Sequence, residues 1–503
     1  MRKAVFNAAG WLLPVLVALV ATPWLIRELG AARYGVWALI VMLGALIPTL
    51  DFGYGVAAVR ELAGARGDSA RIQRVSGELF SLGLLLGALA WAAVALGGSA
   101  ISDALNFEQA VPEAEARLLM GLLGPWIAVA FVNGALTALP RAQEHFGSLA
   151  LLGTLSSLGL WIGATALASL GADLPQLMIF GLGLQGAMGV ALAILHRRIA
   201  GRWPRPIAAF GTLARSTRFA FASFVGSLTS MATYHADKAL VSAFIGPAAA
   251  GLYPASANVA NKLLGLVASL GGVIYPRVSM LQAGGADRLQ VARLYFVSNR
   301  ILMTLTLALA VVGVVLAERF LSLWLGTNVT PGLVFAFRLL IVAYVMASAS
   351  VVASNILSGR GNAHRGAWFA ALGGVMTVGA GVLLIPRLGV QGAGWAGVIG
   401  MSQALVFDLW MERELRAEHP EYATGQRRPW AGWLVAGLVA ALVAWLALHL
   451  LPGWFGLLAA GGLGLAAFGL VWFGAGFASP EERQIAARLL AFLKDRTHDR
   501  KSA

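Results

Sequence analysis

The chain has no cysteine among its 503 residues, and only 12% of its residues are charged. Without cysteine there is no disulfide framework and no thiol or iron–sulfur chemistry. The seven histidines show no metal-ligand spacing, and no glycine-rich phosphate loop ending in Gly-Lys-Ser/Thr occurs. No loop between apolar segments is long enough for a catalytic domain. The sequence therefore predicts neither an enzyme nor a bound metal or cofactor.

Long apolar segments take the place of these features, and the mean hydropathy is +0.77. A helix of about 20 apolar residues spans the hydrocarbon core of a bilayer, where the backbone must satisfy its own hydrogen bonds. We predict an all-α integral membrane protein with about fourteen transmembrane helices. The predicted spans are 6–26, 36–58, 76–98, 118–139, 148–170, 176–195, 219–245, 251–275, 296–316, 333–356, 366–386, 391–410, 430–451 and 454–476.

The basic residues lie predominantly on one side of this predicted topology. With a cytoplasmic N-terminus, 29 of the 37 lysines and arginines lie in inner segments. The positive-inside rule then places both termini in the cytoplasm of a bacterial inner membrane. Topology also accounts for the formal charge of +14, so we do not expect a nucleic-acid partner.

Two short hairpins share one pattern, a glycine, a four-residue turn, a second glycine and an aromatic residue two positions later. The aligned pairs, at an offset of 216, are Gly30 with Gly246, Gly35 with Gly251, and Trp37 with Tyr253. An offset of six helices gives parallel repeats, with the substrate path between the lobes. We predict two six-helix lobes around a central cavity, with two extra C-terminal helices. The boundaries are 1–195 for the first lobe, 196–218 for a cytoplasmic linker, 219–410 for the second lobe and 430–476 for the extra helices.

The segment 478–503 follows the last span. Ser479, Pro480 and Glu482 form a good helix start, and apolar residues then recur at helical spacing among basic ones. This pattern is typical of an amphipathic helix on the inner leaflet.

Several motifs, in this order and spacing, resemble those of the polysaccharide (O-antigen type) flippases. The stretch 237–253 resembles the seventh-helix signature of that family. The other matching motifs are Leu29-Gly30 to Tyr34-Gly35, Asp51 to Gly55, Tyr275-Pro276-Arg277, Leu357 to Gly361 and Leu388 to Gly394. The resemblance covers about residues 5–410 and places the chain in the multidrug/oligosaccharidyl-lipid/polysaccharide superfamily.

This resemblance implies a flippase for undecaprenyl-pyrophosphate-linked oligosaccharides in surface polysaccharide synthesis. The cargo would pass from the cytoplasmic to the outer leaflet by ion-coupled alternating access. The implied partners are this lipid-linked oligosaccharide, membrane lipids, and polymerase and chain-length proteins of the same pathway. Two alternatives stay open at this point, a cation-coupled multidrug exporter and a flippase for the peptidoglycan lipid precursor.

Polar and charged side chains inside the spans are the candidate site residues, because such groups normally face a polar interior. Lys238 and Lys262 are the only lysines within spans, and we predict that they hold the pyrophosphate. The further candidates for substrate binding are Arg338, Asn258 and Tyr234. Asp237 and Asp51 are candidates for proton or sodium coupling. The relatives often carry arginine early in the eighth helix, where this chain has Asn258.

Overall fold

Helices make up most of the computed structural model, which describes residues 2–65, 67–207, 211–272, 274–283, 288–419, 429–484 and 486–487 and has no strand among them. In chain order the helices are α1 (Arg2–Leu29), α2 (Ala31–Leu46), α3 (Tyr54–Ala63), α4 (Ser69–Ala104), α5 (Glu113–Ala142), α6 (Phe146–Ser169), α7 (Leu174–Ala200), α8 (Gly211–Ala214), α9 (Thr217–Ile245), α10 (Pro247–Gly271), α11 (Ile274–Ala283), α12 (Arg288–Leu325), α13 (Pro331–Gly359), α14 (Ala363–Leu388), α15 (Val390–Glu418), α16 (Trp430–Leu450) and α17 (Gly453–Gly474).

Each of the fourteen predicted spans falls on helical segments of the described chain, so the all-helical membrane architecture is confirmed. Ten of the described helical segments are long and apolar enough to cross a membrane. The second predicted span, 36–58, is not one continuous helix. It is divided by a 3₁₀ turn at Ile47–Thr49 and a bend before α3, because Pro48 offers no backbone N–H and Phe52 and Gly53 adopt positive φ angles.

Side-chain caps fix where several helices begin. Asp68 accepts a hydrogen bond from the backbone N–H of Arg71 at the start of α4 (2.9 Å). Asp173 and Gln176 form a reciprocal capping box at the start of α7. These carboxylate and amide groups satisfy backbone donors of the first turn that have no partner within the helix. They lie between the apolar spans, just before α4 and α7 begin.

The chain forms two compact units, Met1–Ala255 and Ser256–Ala503. In the first unit α4 pairs with α5, α5 packs on α7, and α1 packs on α6. Trp37 is almost fully buried and meets Trp161 edge to face, with ring centroids 5.4 Å apart. The helix α9 contacts α3 and belongs to this unit, so the unit extends beyond the linker predicted at 196–218. The lobe boundaries drawn from the sequence repeat stay a prediction.

In the second unit α13 packs between α12 and α15, and α14 packs on α15. The two C-terminal helices α16 and α17 pair with each other and pack against α12. Trp433 of α16 donates a hydrogen bond to Thr304 of α12 (2.8 Å) and stacks on Trp472 of α17. These helices are therefore an integral part of the unit.

The helix start predicted at Ser479 is confirmed. The backbone N–H of Ser479 donates to Glu482 Oε2 (2.6 Å), and the N–H of Glu482 donates to Ser479 Oγ (3.2 Å). Glu482 also accepts a hydrogen bond from Arg300 of α12 (3.2 Å), and Arg300 donates to the carbonyl of Phe477 as well (2.5 Å). Most of the predicted amphipathic segment, residues 485 and 488–503, lies outside the described residues.

Candidate functional site

The buried charges of α9 form a local cluster with the start of α10. Asp237 and Lys238 expose only 5% and 3% of their surfaces. The Lys238 ammonium lies 3.5 Å from Asp237 Oδ1, and it also donates to the backbone carbonyl of Tyr234 one turn earlier. The Tyr253 hydroxyl donates to Asp237 Oδ2 (2.7 Å). Tyr253 is the aromatic residue of the second repeat hairpin, so this hairpin contributes a hydrogen bond to the buried carboxylate.

This cluster differs from the expectation for two adjacent helical residues. Neighbours on a helix point about 100° apart, which disfavours a direct pair. The long stem of Lys238 instead folds back along α9 towards Tyr234, and its ammonium reaches both the carbonyl and the carboxylate. In this conformation Lys238 neutralises Asp237, and its burial leaves little surface for an anionic ligand. Tyr234 itself is partly buried on the same helix.

Asn258 and Lys262 lie one turn apart on α10, and both are exposed. Lys262 is about ten residues into its predicted span, where a charged side chain facing lipid is expensive. A lysine at that depth therefore favours surroundings that water or a polar ligand can reach. Of the two predicted lysines, Lys262 has the accessible surface.

Arg338 of α13 contacts α12. Its guanidinium donates to the carbonyl of Val314 (3.2 Å) and to the Glu318 carboxylate (3.4 Å). Both partners lie in the second unit, in the C-terminal half of α12. These contacts hold α13 to α12 and pair the arginine charge with a carboxylate.

Asp51 closes the turn that interrupts the second span. Its Oδ1 accepts the backbone N–H of Gly53 (2.9 Å), and its Oδ2 accepts that of Gly55 (2.7 Å). Gly53 has a φ of +77°, and a Cβ there would lie 1.9 Å from the carbonyl oxygen of Ala220 on α9. The Asp-Phe-Gly-Tyr-Gly motif thus builds a turn against which the α9 backbone packs, and Asp51 acts there as a helix cap.

Sequence reasoning missed a buried carboxylate that holds the linker. Glu78 of α4 is 1% exposed, and it accepts backbone N–H groups of Thr212 (3.0 Å) and Leu213 (2.8 Å) in α8. The Ile207 N–H donates to Ser81 Oγ of the same helix (2.8 Å). These described residues of the linker are therefore held on α4. A glutamate just inside an apolar span was the available signal, but its partners are more than 130 residues away.

A second missed cluster joins α12 and α15. Asp408 is fully buried, and its Oδ1 accepts hydrogen bonds from the Tyr295 hydroxyl (2.6 Å) and the Asn299 amide (3.0 Å). The Tyr295 hydroxyl also lies 3.0 Å from the Asp408 carbonyl. An aspartate within the predicted span 391–410 should have been recognised as unusual, since charges there are rare.

Comparison with known proteins identifies the family. A model of the polysaccharide biosynthesis protein family matches residues 1–282, more than half of the chain. The chain belongs to this family. An O-antigen transporter of Shigella flexneri is 21% identical to this polysaccharide biosynthesis family member over 338 residues, which are 65% of this chain and 77% of the relative.

Solved structures show the fold of this polysaccharide biosynthesis family member. The lipid II flippase MurJ in an inward closed conformation has a TM-score of 0.72 at 13% identity, and the match covers 94% of this chain and 100% of that structure. An inward-facing multidrug resistance MATE transporter of the MOP superfamily has a TM-score of 0.67 at 16% identity and covers 82% and 99%. The chain therefore shares the helical fold of these two solved structures.

Proposed function

We propose that this protein is a flippase for an undecaprenyl-pyrophosphate-linked oligosaccharide, which it moves from the cytoplasmic to the outer leaflet during surface polysaccharide synthesis. The family match over residues 1–282 carries the proposal, and the similarity to an O-antigen transporter supports it. The fold is that of a superfamily in which transport, rather than covalent chemistry, is the activity named for the solved structures.

The proposed cargo sets a physical requirement that α10 can meet. An unpaired pyrophosphate in hydrocarbon faces a Born-type penalty of order tens of kcal/mol. A cation and an amide on one helix face can replace part of its water shell, and Lys262 with Asn258 supplies that pair. The lipid tail needs no protein partner and can stay in the bilayer while the head group crosses.

We propose that the buried cluster of Asp237 and Lys238 in α9 couples transport to a proton or sodium gradient. Asp237 is the only predicted coupling residue whose carboxylate lies beside a buried cation, Lys238. Binding of a proton or sodium ion at Asp237 would weaken its attraction for Lys238 and its hydrogen bond with the Tyr253 hydroxyl, which joins α9 to α10. Both oxygens of Asp51 are already engaged by backbone N–H groups of its turn, which favours Asp237 for this role.

The experiment that tests the function compares a deletion strain with the strain complemented by the wild-type gene. We expect deletion to abolish one surface glycan and to leave its lipid-linked precursor on the cytoplasmic leaflet, with unchanged sensitivity to cationic drugs. Normal surface glycan together with increased drug sensitivity would contradict the proposal and favour a multidrug exporter. Loss of viability with arrested wall synthesis, independent of any surface glycan, would favour a peptidoglycan-precursor flippase.

A further inference from the structure

The short loop between α4 and α5 reaches across the first unit to the end of α9. The Asn106 side-chain amide donates to the carbonyl of Ser242 (3.2 Å) and to that of Ala243 (2.8 Å). In return, the Ser242 hydroxyl donates to the carbonyl of Leu105 (3.0 Å). The predicted topology places this loop and this end of α9 on the outer side.

The loop is shaped for this contact. Asn106 adopts a left-handed conformation, with a φ of +56°, and a 3₁₀ turn follows at Phe107–Gln109. Phe107 is fully buried and anchors the turn. The next contact is with the second repeat hairpin, because a Cβ on Gly246 would lie 2.3 Å from the Gln109 side-chain oxygen. Gly246 has a φ of +113° and separates α9 from α10.

One of the bonds from Asn106 satisfies a backbone group that the helix end leaves open. The last four carbonyls of a helix have no N–H partner within the helix, and α9 ends at Ile245. The Ser242 carbonyl also accepts the Gly246 N–H (2.9 Å), whereas the Ala243 carbonyl accepts the amide of Asn106 (2.8 Å). Ser242 and Ala243 lie in that final turn, so the loop acts as a C-terminal cap supplied by a distant segment of the chain. Ser242 is fully buried.

We propose that residues 105–110 form an outer clasp that fastens the end of α9 to the first lobe, and that the clasp must open in each transport cycle. The clasp rests on the proposed function, since it assumes that α9 moves during transport. It names residues 105–110 as the segment that controls opening of the transport path on the outer side of the membrane. Two side-chain hydrogen bonds from Asn106 and one from Ser242 are few enough to break reversibly, because each is exchanged for hydrogen bonds to water when the clasp opens.

The first test measures opening without any cargo. The chain has no native cysteine, so Val241→Cys introduces a single reporter at a fully buried position of α9. We expect Asn106→Gly to increase the rate at which a membrane-impermeant maleimide labels this cysteine in intact cells by about tenfold, the effect of roughly 1.4 kcal/mol. Glycine accepts the left-handed conformation and removes only the side chain.

Two controls separate clasp opening from general loosening. Asn133→Ala removes an asparagine of α5 that likewise donates to two acceptors on another helix, the carbonyl and side-chain oxygen of Gln185. It should leave the labelling of Val241→Cys unchanged. A reporter at Ala168→Cys, buried near the outer end of α6, should label at the same rate with and without Asn106→Gly. The proposal is overturned if Asn106→Gly does not change the labelling rate of Val241→Cys. It is also overturned if Asn106→Gly accelerates labelling of Ala168→Cys as much as that of Val241→Cys.

The second test closes the clasp covalently. Asn106→Cys with Ser242→Cys is joined by a short bis-methanethiosulfonate reagent in otherwise cysteine-free protein. We expect glycan export to fall at least tenfold and to recover with a reductant, while either single cysteine exports as much after treatment with the reagent as before it. Undiminished export by fully cross-linked protein overturns the clasp. If deletion shows that the cargo is not a glycan, the labelling test still decides the clasp, so the two failures are distinguishable.

Discussion

Gly35 and Gly251, which occupy equivalent positions in the two repeat hairpins, pack directly against each other. A Cβ on Gly35 would lie 1.7 Å from the Pro247 carbonyl oxygen and 3.0 Å from the Gly251 nitrogen, and a Cβ on Gly251 would lie 3.0 Å from Gly35 Cα. The absence of a side chain at both positions therefore lets the two hairpin backbones approach each other.

The first prediction concerns this contact. Gly35→Ala should lower the free energy of unfolding by about 1–3 kcal/mol, the usual cost of overpacking, because the new methyl group meets backbone atoms that cannot rotate away. Thermal unfolding in detergent measures the effect. The matched control is Gly134→Ala in α5, where a Cβ meets nothing within 4 Å. A Gly35→Ala protein as stable as this control would show that the hairpins are not held so closely.

The second prediction concerns Lys262. Lys262→Ala should reduce surface glycan at matched membrane abundance, because it removes an exposed cation from the interior of a span. Lys262→Arg should restore export at least in part, since the charge is kept. Quantified surface glycan in the complemented deletion strain is the measurement. Normal export by Lys262→Ala would remove this residue from the proposed binding site.

The third prediction concerns the buried pair in α9. Asp237→Asn or Lys238→Met alone should destabilise the protein by roughly 3–5 kcal/mol, because each leaves one charge buried without its partner. The double variant should lose less than the sum of the two. Unfolding of the four proteins in detergent completes the cycle. Additive losses would indicate that the 3.5 Å approach between the two charges is not energetically coupled.

The fourth prediction is a pH dependence at Glu61, near the C-terminal end of α3. A hydrogen bond from Arg71 (2.7 Å), supported by one from Ser216 (2.9 Å), lowers the pKa of Glu61 below its usual value of 4.5. A carboxylate with a lowered folded-state pKa stabilises fully above its unfolded pKa and loses this contribution as the pH falls through the folded pKa. The stability difference between wild type and Glu61→Gln should therefore shrink below about pH 4.5. A difference that stays constant from pH 6 to pH 3 would contradict this origin.

The fifth prediction concerns orientation. Reporters fused to chains ending after residue 110 and after residue 205 should read outside and inside respectively, because the inner segments hold 29 of the 37 basic residues. Alkaline phosphatase and green fluorescent protein fusions give the two signals. The reverse pattern would invert the topology and, with it, the side on which the clasp lies.

The helices could be predicted because bilayer thickness imposes a length and a composition on each span. The break in the second span could not be predicted. Gly53 has a positive φ and lies directly against Ala220 of α9, a residue much later in the chain. The hydrophobic periodicity of a span does not depend on such a distant contact and so cannot predict it. The glycines of the two hairpin patterns, by contrast, did mark positions that meet in space, because Gly35 and Gly251 let the two backbones approach closely.

The site was only partly predictable for a related reason. A charge inside an apolar run is visible in the sequence, and this identified Asp237, Lys238 and Lys262. Their surroundings are not visible, because they depend on how the helices pack. Lys238 is buried against Asp237, whereas Lys262 is exposed. Glu78 was passed over because its backbone partners lie in a linker that the sequence presents as a simple connection.

Arg300 gives the C-terminal helices a significance beyond packing. This cation of α12 is held by the Phe477 carbonyl, the Glu482 carboxylate and the face of the Trp472 ring, all supplied by the final part of the chain. A shortened protein that ended after α15 would lose every one of these groups at once. Deletion of the last two helices would therefore strand a charge at Arg300 as well as expose the apolar surface that these helices cover.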